Sequence, residues 1–326
     1  MPITIATPGM KQGGSDALEM FLKTFAGEIL TAYSRMTATL NRHQTRTISH
    51  GKSAAFPVTG RATALYLTPG NSLDAQLQKI AGTEKTINID GLLTAATLIT
   101  DLDDAMNHFD VSVEYSRQLG EALAIAADGA TIAEIAKLVI ADAENLTGLG
   151  KGAIINKTVA TGTALTSATL GQYYLDMLLE MKYNLDSNYV PQTERVAYIK
   201  PDVTAALVNA KVVINADYGG SSNIQEAQPI RVAGFDLVTV PHLTTGGADN
   251  ANVIQGSGHV FPATYAAKTK IVAAHRGAVG MLKLKDLAME HARRPEYQGD
   301  MIIAKMAVGH GGLRPEAVQL GTVEFA

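Results

Sequence analysis

The chain has 326 residues, 46% of them hydrophobic, and a formal net charge of −4. This length suffices for a substantial core and suggests about two domains, whereas the slight acidity argues against a dedicated nucleic-acid-binding domain, which is usually strongly basic. Cysteine is absent, which excludes disulfides, thiolate metal sites and thiol nucleophiles.

The N-terminal region predicts an amphipathic helix and no targeting segment. Met1–Met10 lacks a basic stretch followed by an apolar one, so we expect no signal peptide and synthesis in the cytosol. No apolar run approaches the ~20 residues that span a membrane. Asp16 and Glu19 form a helix N-cap pattern, after which apolar residues recur at helical spacing as far as Tyr33. The apolar stripe of this helix needs a surface to cover it.

Charge is distributed unevenly over the first half of the chain. No acidic residue lies between Ile29 and Leu73, whereas Glu84–Glu144 holds twelve carboxylates and three bases. The basic residues of the first stretch are Arg35, Arg42, His43, Arg46, His50, Lys52 and Arg61. Either both segments are simply solvated, or the basic arm lies on acidic surface, within one subunit or between copies, where complementary charge fixes register.

The segment from His50 to Asp90 predicts a long β-hairpin. Apolar residues from Phe56 to Val58 and from Leu65 to Leu67 are typical of a strand, as is the alternation in Thr86–Ile89. The residues between them are polar and include the turn-forming Pro69–Asn71. A hairpin of this kind buries little by itself, so we expect it to project and to hold a neighbour.

Two longer helices are predicted further along the chain. Asp110 is a candidate cap for a helix that runs to about Glu144 with a stripe of small residues. Gly120 and Gly129 cost about 1 kcal/mol each in its interior, and the glycine-rich Asn145–Gly152 marks a boundary. Ser167–Leu185 has an apolar stripe and stops before Pro191; that stripe is Leu170, Tyr174, Met177, Leu178, Met181 and Leu185.

The remainder predicts several strands and one short helix, which Asp202 caps and which ends at Asn209. The predicted strands are Arg195–Ile199, Ile230–Val232, Phe235–Val240, Ala278–Leu284, Met301–Val308 and Gln319–Phe325. A helical or irregular stretch is expected between Ala278–Leu284 and Met301–Val308. The predicted class is α+β, with a discontinuous second domain.

Motifs for chemistry are incomplete. Gly51-Lys52-Ser53 ends like a phosphate-binding loop, but Arg46 stands where that motif needs glycine. The Asp101–Asp104 cluster could attract a cation, although a carboxylate-rich helix start is the better interpretation. His310–Gly312 could supply oxyanion donors, yet no nucleophile accompanies it and a turn is predicted. We therefore predict no catalytic, cofactor-binding or metal-binding residue.

Several stretches, in order over about residues 18–317, resemble the major capsid protein of T7-like tailed bacteriophages. They are Gly51–Val58 with Gly60-Arg61, Thr83–Lys85, Ile89–Ala95, Asp104–His108, Gln118–Glu121, Val240–Thr244, His259–Pro262, Ala278–Gly280 and Gly309–Ala317. Each stretch is weak alone, and their joint order and spacing make the match specific.

The resemblance implies the HK97-like capsid fold. Its parts would be an N-terminal arm (1–50), a projecting hairpin or E-loop (51–90), a peripheral domain with a long spine helix (91–150), an axial domain (151–275) and a C-terminal return to the peripheral domain (276–326). The implied function is a structural subunit that self-assembles into hexamers and pentamers of an icosahedral head.

The resemblance also implies partners and a location. The partners would be other copies, a scaffolding protein, a portal protein and packaged double-stranded DNA bound without sequence specificity, with no membrane and no cofactor. The location would be the virion, after assembly in the host cytoplasm. Candidate inter-subunit contacts are Arg35, Arg42, Arg46, Lys52, Arg61, Asp74 and Glu84. The alternatives are an encapsulin-like compartment on the same fold, and a hydrolase that uses His310 or the Asp101 cluster.

Overall fold

A computed structural model of the chain describes residues 37–70, 72–102, 112–210, 231–244 and 259–326. The predicted helix from Asp16 to Tyr33, Arg35 and the predicted cap Asp110 lie outside these ranges. None of the described helices is long and apolar enough to cross a membrane. The elements are β1 (Gln44–Thr47), β2 (Ser53–Thr59), β3 (Gly82–Asn88), β4 (Gly91–Thr100), α1 (Ser112–Ile140), β5 (Ala153–Val159), α2 (Ala168–Ser187), β6 (Arg195–Ile199), α3 (Pro201–Asn209), β7 (Arg231–Val232), β8 (Phe235–Thr239), α4 (Ala263–Ala266), β9 (Thr269–His275), β10 (Val279–Arg294), β11 (Gly299–Gly312) and β12 (Val318–Phe325).

The described strands form two sheets and a separate hairpin. The six-stranded sheet has the order β5-β12-β9-β6-β8-β7, and the four-stranded sheet has the order β1-β10-β11-β4. The chain passes from β9 in the first sheet to β10 and β11 in the second and returns with β12, so the C-terminal segment joins the two sheets. Long helices lie beside largely antiparallel strands, which makes the class α+β as predicted.

Strands β2 and β3 are the limbs of the predicted hairpin and pair antiparallel from Ser53–Asn88 to Thr59–Gly82. Alternate side chains of β2 face inward and join a small apolar cluster that includes Ile87 and Leu282. The predicted extension of the first limb through residues 65–67 is wrong, since these residues are exposed and not in a strand. Their apolar pattern resembles a strand, but a strand also needs a backbone ladder, and this one ends at Thr59.

Helix α1, the spine helix, packs against β11 and β4 of the four-stranded sheet. The predicted stripe is mostly buried: Leu123, Ala126, Ala127, Ala130 and Ala133 are buried, whereas Leu119 and Leu138 are half-buried. The small alanine side chains let the helix approach the sheet closely. The helix stops at Ile140, short of the predicted Glu144, and Asp142 then takes a left-handed φ of 47°.

Helix α2 covers the six-stranded sheet and builds the main core. Ser167 caps it, because its Oγ accepts a hydrogen bond from Leu170 N at 3.3 Å. The inner face is the stripe that the sequence predicts, and all of it is buried: Leu170, Tyr174, Met177, Leu178, Met181 and Leu185. Helical spacing alone therefore identified the side of this helix that faces the core.

Helix α3 corrects one prediction. Its N-cap is Lys200 and Pro201 begins the helix, so Asp202 is not the cap. Asp202 lies in the first turn, where its carboxylate forms an ion pair with the buried Lys270. Asp202 therefore contacts β9 through this ion pair, which its position near a helix start did not indicate.

Strand β10 corrects a second prediction. It is one 16-residue strand to Arg294, so the helical or irregular stretch predicted between Leu284 and Met301 is confined to a 3₁₀ turn at Pro295–Tyr297. The residues beyond Leu284 are mostly exposed, and the register against β11 shifts on both sides of Lys285. Bulges of this kind interrupt the period-two alternation on which the prediction depended.

The glycines near the C-terminus lie inside β11 and not in the predicted turn. A Cβ on Gly309 would collide with the carbonyl oxygen of Asn88, and one on Gly312 would collide with the Leu138 side chain. These glycines therefore let β11 run directly against the end of the hairpin and the spine helix.

Strand β12 belongs to the six-stranded sheet. It pairs in parallel with β5 and antiparallel with β9. The last segment, Val318–Phe325, thus ends among the strands expected for the axial domain rather than with β10 and β11.

Candidate assembly surfaces and buried histidine contacts

The end of the basic arm meets an acidic residue of its own subunit. Asp128 of the spine helix accepts hydrogen bonds from Ala38 N at 3.0 Å and from Thr39 N at 2.6 Å. Arg42 Nη1 donates to Ala38 O at 3.2 Å and braces the same loop. The contact between arm and acidic segment therefore exists within one chain, and it is made by backbone amides.

Asp128 also binds a third element. Its Oδ2 lies 2.9 Å from Nε2 of His242, a residue of the segment that follows β8. Both side chains are buried. Burial opposes the charge of the carboxylate, but hydrogen bonds from His242, Thr39 and Ala38 outweigh it and lower the pKa of Asp128. Arm, spine helix and the segment after β8 thus share one buried carboxylate.

Arg46 joins the arm to the hairpin. Its Nη1 donates to Ala55 O at 3.0 Å, and its guanidinium carbon lies 5.5 Å from the centroid of the Phe56 ring. A cation over an aromatic face is attracted by the ring quadrupole. This arginine therefore fixes strand β1 against strand β2 of the same chain.

Arg61 anchors the hairpin at a second point. Its Nη2 donates to Asn188 O, and its guanidinium carbon lies 4.7 Å from the centroid of the Tyr189 ring. Tyr189 has a left-handed φ of 58°, which is strained for a bulky residue. The Asn188 amide in turn donates to the carbonyls of Lys151 and Glu316. The hairpin is thereby tied to the C-terminal end of α2.

The other candidate inter-subunit contact residues that the structure describes face solvent in the single chain. Lys52 and Glu84 are exposed on the two limbs of the hairpin. Asp74 is exposed in a short 3₁₀ turn, where its backbone N–H donates to Ser72 Oγ at 3.2 Å. These three charges are placed where a neighbouring molecule can reach them.

The hairpin tip, residues 60–81, exposes large apolar side chains. Leu65, Leu73, Leu77 and Ile80 are between 55% and 74% exposed. Isolated exposed apolar residues are ordinary, but a group of them on one projecting loop is typical of an interaction surface. The tip has more apolar surface than its own subunit covers.

His259 connects the hairpin root (residues 89–91) with the spine helix. Its Nε2 lies 2.9 Å from Asp90 Oδ2, and its Nδ1 lies 2.7 Å from Glu134 Oε1. Burial opposes protonation of this ring, but the two carboxylates outweigh it and raise the pKa of His259 to about 9. The ring is therefore charged at neutral pH.

His310 lies beside His259, and its pKa is displaced in the opposite direction. The two rings are 5.5 Å apart, edge to face. Thr131 Oγ1 donates its hydrogen to Ala127 O, so His310 Nδ1 donates to Thr131 Oγ1 at 3.3 Å. His310 Nε2 is buried without a hydrogen-bond partner in the described chain, which favours the neutral Nδ1–H tautomer. Burial and the charge on His259 lower the pKa of His310 to about 4.

Comparisons with known proteins give this architecture a family. A family model described as Gp10A-like, major capsid protein, matches residues 55–320. The major capsid protein of Escherichia phage T7 is 47% identical over 322 residues, which cover 95% of this chain and 93% of that protein. The major capsid protein of Enterobacteria phage T3 gives the same identity and coverage. This chain belongs to the phage major capsid protein family.

The solved structures agree with this assignment. The capsid of Cyanophage P-SCSP1u has a TM-score of 0.79 and 32% identity, with complete coverage of both chains. The structural neighbours are phage capsid proteins of the HK97-like fold, which confirms the fold that the sequence resemblance implied. The capsid protein is thus a structural component of the virion that associates with copies of itself, and the encapsulin-like alternative is not favoured.

The residues of the hydrolase alternative have structural partners in the capsid protein. His310 is buried against Thr131. Asp101 forms an ion pair with Arg293, which also reaches Asp300 at 3.4 Å. In the described ranges, no group of three or more His, Asp or Glu side chains is arranged to hold a metal ion.

Sequence reasoning missed the buried histidine contacts of the capsid protein. The partners are far apart along the chain: 114 residues separate His242 from Asp128, and 169 residues separate His259 from Asp90. No local spacing rule connects positions at such distances. The one available signal was that His242 and His259 both fall in stretches that resemble the family.

Proposed function

We propose that this capsid protein forms the hexamers and pentamers of an icosahedral phage head that encloses double-stranded DNA. The observation that carries the proposal is the 47% identity with the T7 and T3 major capsid proteins over 95% of the chain. Contacts that close by rotation build rings, and many modest contacts on one shell reinforce one another through effective concentration.

The hairpin tip is the proposed grip on the adjacent subunit. It extends beyond a ladder that ends at Thr59, and its exposed leucines gain stability only when another surface covers them. Lys52, Asp74 and Glu84 supply charges around this apolar surface that would fix the register between subunits. Arg35 would act from the arm in the same way.

Arg42, Arg46 and Arg61 contribute to the proposed interfaces between subunits indirectly, through contacts within their own chain. Each holds a backbone carbonyl of its own chain, and Arg46 and Arg61 also lie over aromatic rings. They fix the direction in which the arm and hairpin leave the body. A projecting element binds a neighbour more tightly when its direction is already set, because less freedom is lost on association.

The proposed division into parts follows the two sheets. The arm is 1–50, the hairpin unit 51–90, the axial domain 151–275, and the peripheral domain 91–150 together with the return at 276–326. The pairing of β12 with β5 and β9 favours one amendment, in which the peripheral return ends before Val318.

The proposed partners are those of a packaging head. A scaffolding protein would template assembly in the host cytoplasm, and a portal protein would occupy one vertex. The net charge of −4 suits a shell whose contact with DNA is non-specific, since DNA is also negatively charged.

Electron microscopy of the expressed protein, with and without a co-expressed scaffolding protein, tests the proposal. We expect closed icosahedral shells, and nucleic acid inside shells that are recovered from infected cells. Shells filled with a protein cargo would favour the compartment hypothesis, and a small soluble oligomer under all conditions would refute assembly.

The grip is tested separately with Leu73→Ser and Leu77→Ser combined. Both side chains are exposed in the single chain, so the subunit should fold normally while shells become fewer and less heat-resistant. Leu179→Ser on the exposed face of α2 is the matched control. Intact shells of unchanged heat resistance from the double variant would count against the grip.

A further inference from the structure

The contact of His259 with two carboxylates joins three separate parts of the chain. Asp90 lies at the hairpin root, Glu134 lies on the spine helix, and His259 begins the segment that leads to α4. The side chains of all three are largely shielded from solvent, with exposures of 17%, 15% and 9%. Their hydrogen bonds therefore compete little with water.

The geometry demands a proton on the histidine. A neutral imidazole has one N–H donor and one bare nitrogen, whereas imidazolium has two donors. Both nitrogens of His259 face carboxylate oxygens, at 2.7 Å and 2.9 Å. Loss of the proton would turn one of these hydrogen bonds into a contact between a lone pair and a negative oxygen.

The charged neighbours on the surrounding elements are compatible with this assignment: Lys137 shares an oxygen with His259, but, against the opposing effect of burial, it also lowers the pKa of Glu134 and so keeps that carboxylate ionised. On the spine helix, Lys137 Nζ lies 3.0 Å from the same Glu134 oxygen that His259 contacts. His310 on β11 is neutral in the geometry described above and does not compete for the carboxylates. His43, ahead of β1, bonds to the backbone oxygen of Thr39, and burial lowers its pKa, so it adds no positive charge here at neutral pH.

The hairpin root has a backbone joint next to this contact. Gly91, the first residue of β4, has a φ of 151° and open space where a Cβ would be. Such a residue can absorb a change in the direction of the hairpin at little steric cost. The backbone here is also held by β11, since Asp90 N donates to Val308 O at 3.2 Å and Gly91 pairs with Val308. The side-chain contact of Asp90 is therefore a second restraint on the hairpin root, and it acts on the side that faces the spine helix.

We propose that the proton on His259 clamps the hairpin root to the spine helix, and that its removal loosens the root while Gly91 accommodates the change in backbone direction. The clamp is a property of the single chain. Its consequence for the shell rests on the proposed function, in which the hairpin holds the adjacent subunit. Release of the clamp would then loosen the borders between subunits without unfolding either subunit.

Backbone hydrogen exchange of β3 and residues 89–91 in the purified full-length protein tests the clamp. After correction for the intrinsic exchange rate, we expect protection to fall about tenfold or more between about pH 7 and about pH 10, while α2 keeps its protection. Asp90→Asn removes one carboxylate charge, so its hairpin should be weakly protected already at neutral pH and should show little further pH dependence.

His291→Gln, at an exposed histidine of β10, is the control and should behave as the wild type. The clamp is refuted if wild-type hairpin protection is the same at both pH values, or if Asp90→Asn keeps the full pH dependence. Electron microscopy of the same wild-type sample separates the two proposals, because absence of shells would refute assembly while leaving the exchange result valid.

Discussion

His259 and His310 lie edge to face with ring centroids 5.5 Å apart, and their pKa values are displaced in opposite directions. The first ring has two carboxylate partners, and the second has a threonine hydroxyl and a buried Nε2 with no hydrogen-bond partner in the described chain. The same interior therefore holds one histidine as a cation and the other as a neutral ring.

This pair predicts a stability optimum near pH 6.5. The pKa of His259 is raised to about 9, so its contribution is complete below about pH 6.5 and is lost as the pH rises through 9. The pKa of His310 is lowered to about 4, so the unfolded state gains protons first and stability falls as the pH drops from about 6.5 to 4. Each displacement corresponds to at most about 3 kcal/mol.

Urea unfolding between about pH 4 and about pH 10 measures the free energy of unfolding as a function of pH. His310→Gln should weaken the loss of stability below about pH 6.5 and leave the loss of stability at alkaline pH unchanged. A loss of stability at acid pH that persists unaltered in His310→Gln would show that other groups cause it.

Asp128→Asn should destabilise the subunit by about 3 kcal/mol, because it removes a buried charge that accepts bonds from Ala38 N, Thr39 N and His242. We also expect faster proteolysis near residue 37, where the arm would lose its anchor. Unfolding in urea and limited proteolysis measure the two effects. Asp176→Asn, at an exposed carboxylate of α2, should change stability by less than about 0.5 kcal/mol. Equal effects of the two variants would contradict this account of Asp128.

Arg61→Ala should loosen the hairpin without lowering overall stability appreciably. An exposed cation–π contact is worth about 0.5–1 kcal/mol, so hydrogen exchange at residues 59–61 and 81–82 should become about two- to fivefold faster. Arg61→Lys keeps the charge but not the planar fork, and an intermediate effect is expected. Exchange at the wild-type rate in Arg61→Ala would mean that the contact with Tyr189 does not restrain the hairpin.

Substitution of two glycines by alanine should change the stability of the protein in opposite directions. Gly120→Ala, inside the spine helix with its new Cβ 3.8 Å from Leu287 Cδ2, should stabilise the protein by about 0.5–1 kcal/mol. Gly309→Ala should destabilise it by at least about 2 kcal/mol, because the new methyl group would collide with Asn88 O. Thermal unfolding measures both, and a harmless Gly309→Ala would mean that β11 can move away from the hairpin.

Much of the fold was predictable where one face of an element is buried. The stripe of α2 and the limbs of the hairpin follow from periodicity, because burial selects apolar residues at the spacing of the element. The second half of β10 was not predictable, since exposed strands are under no such selection and its register shifts near Lys285. Asp202 was misassigned because a carboxylate near a helix start suits both a cap and an ion pair.

The sequence by itself determined the α+β class, the buried face of α2, the presence of a hairpin and, through ordered stretches that resemble one family, the capsid assignment. Each of these features depends on the identity of residues or on their spacing along the chain, and both can be read directly from the sequence. Only the tertiary structure decided that Asp128 binds His242, that His259 bridges Asp90 and Glu134, and that Arg61 lies on Tyr189. The reason is physical: the charge state of a buried side chain depends on which distant groups enclose it, and packing alone brings those groups together.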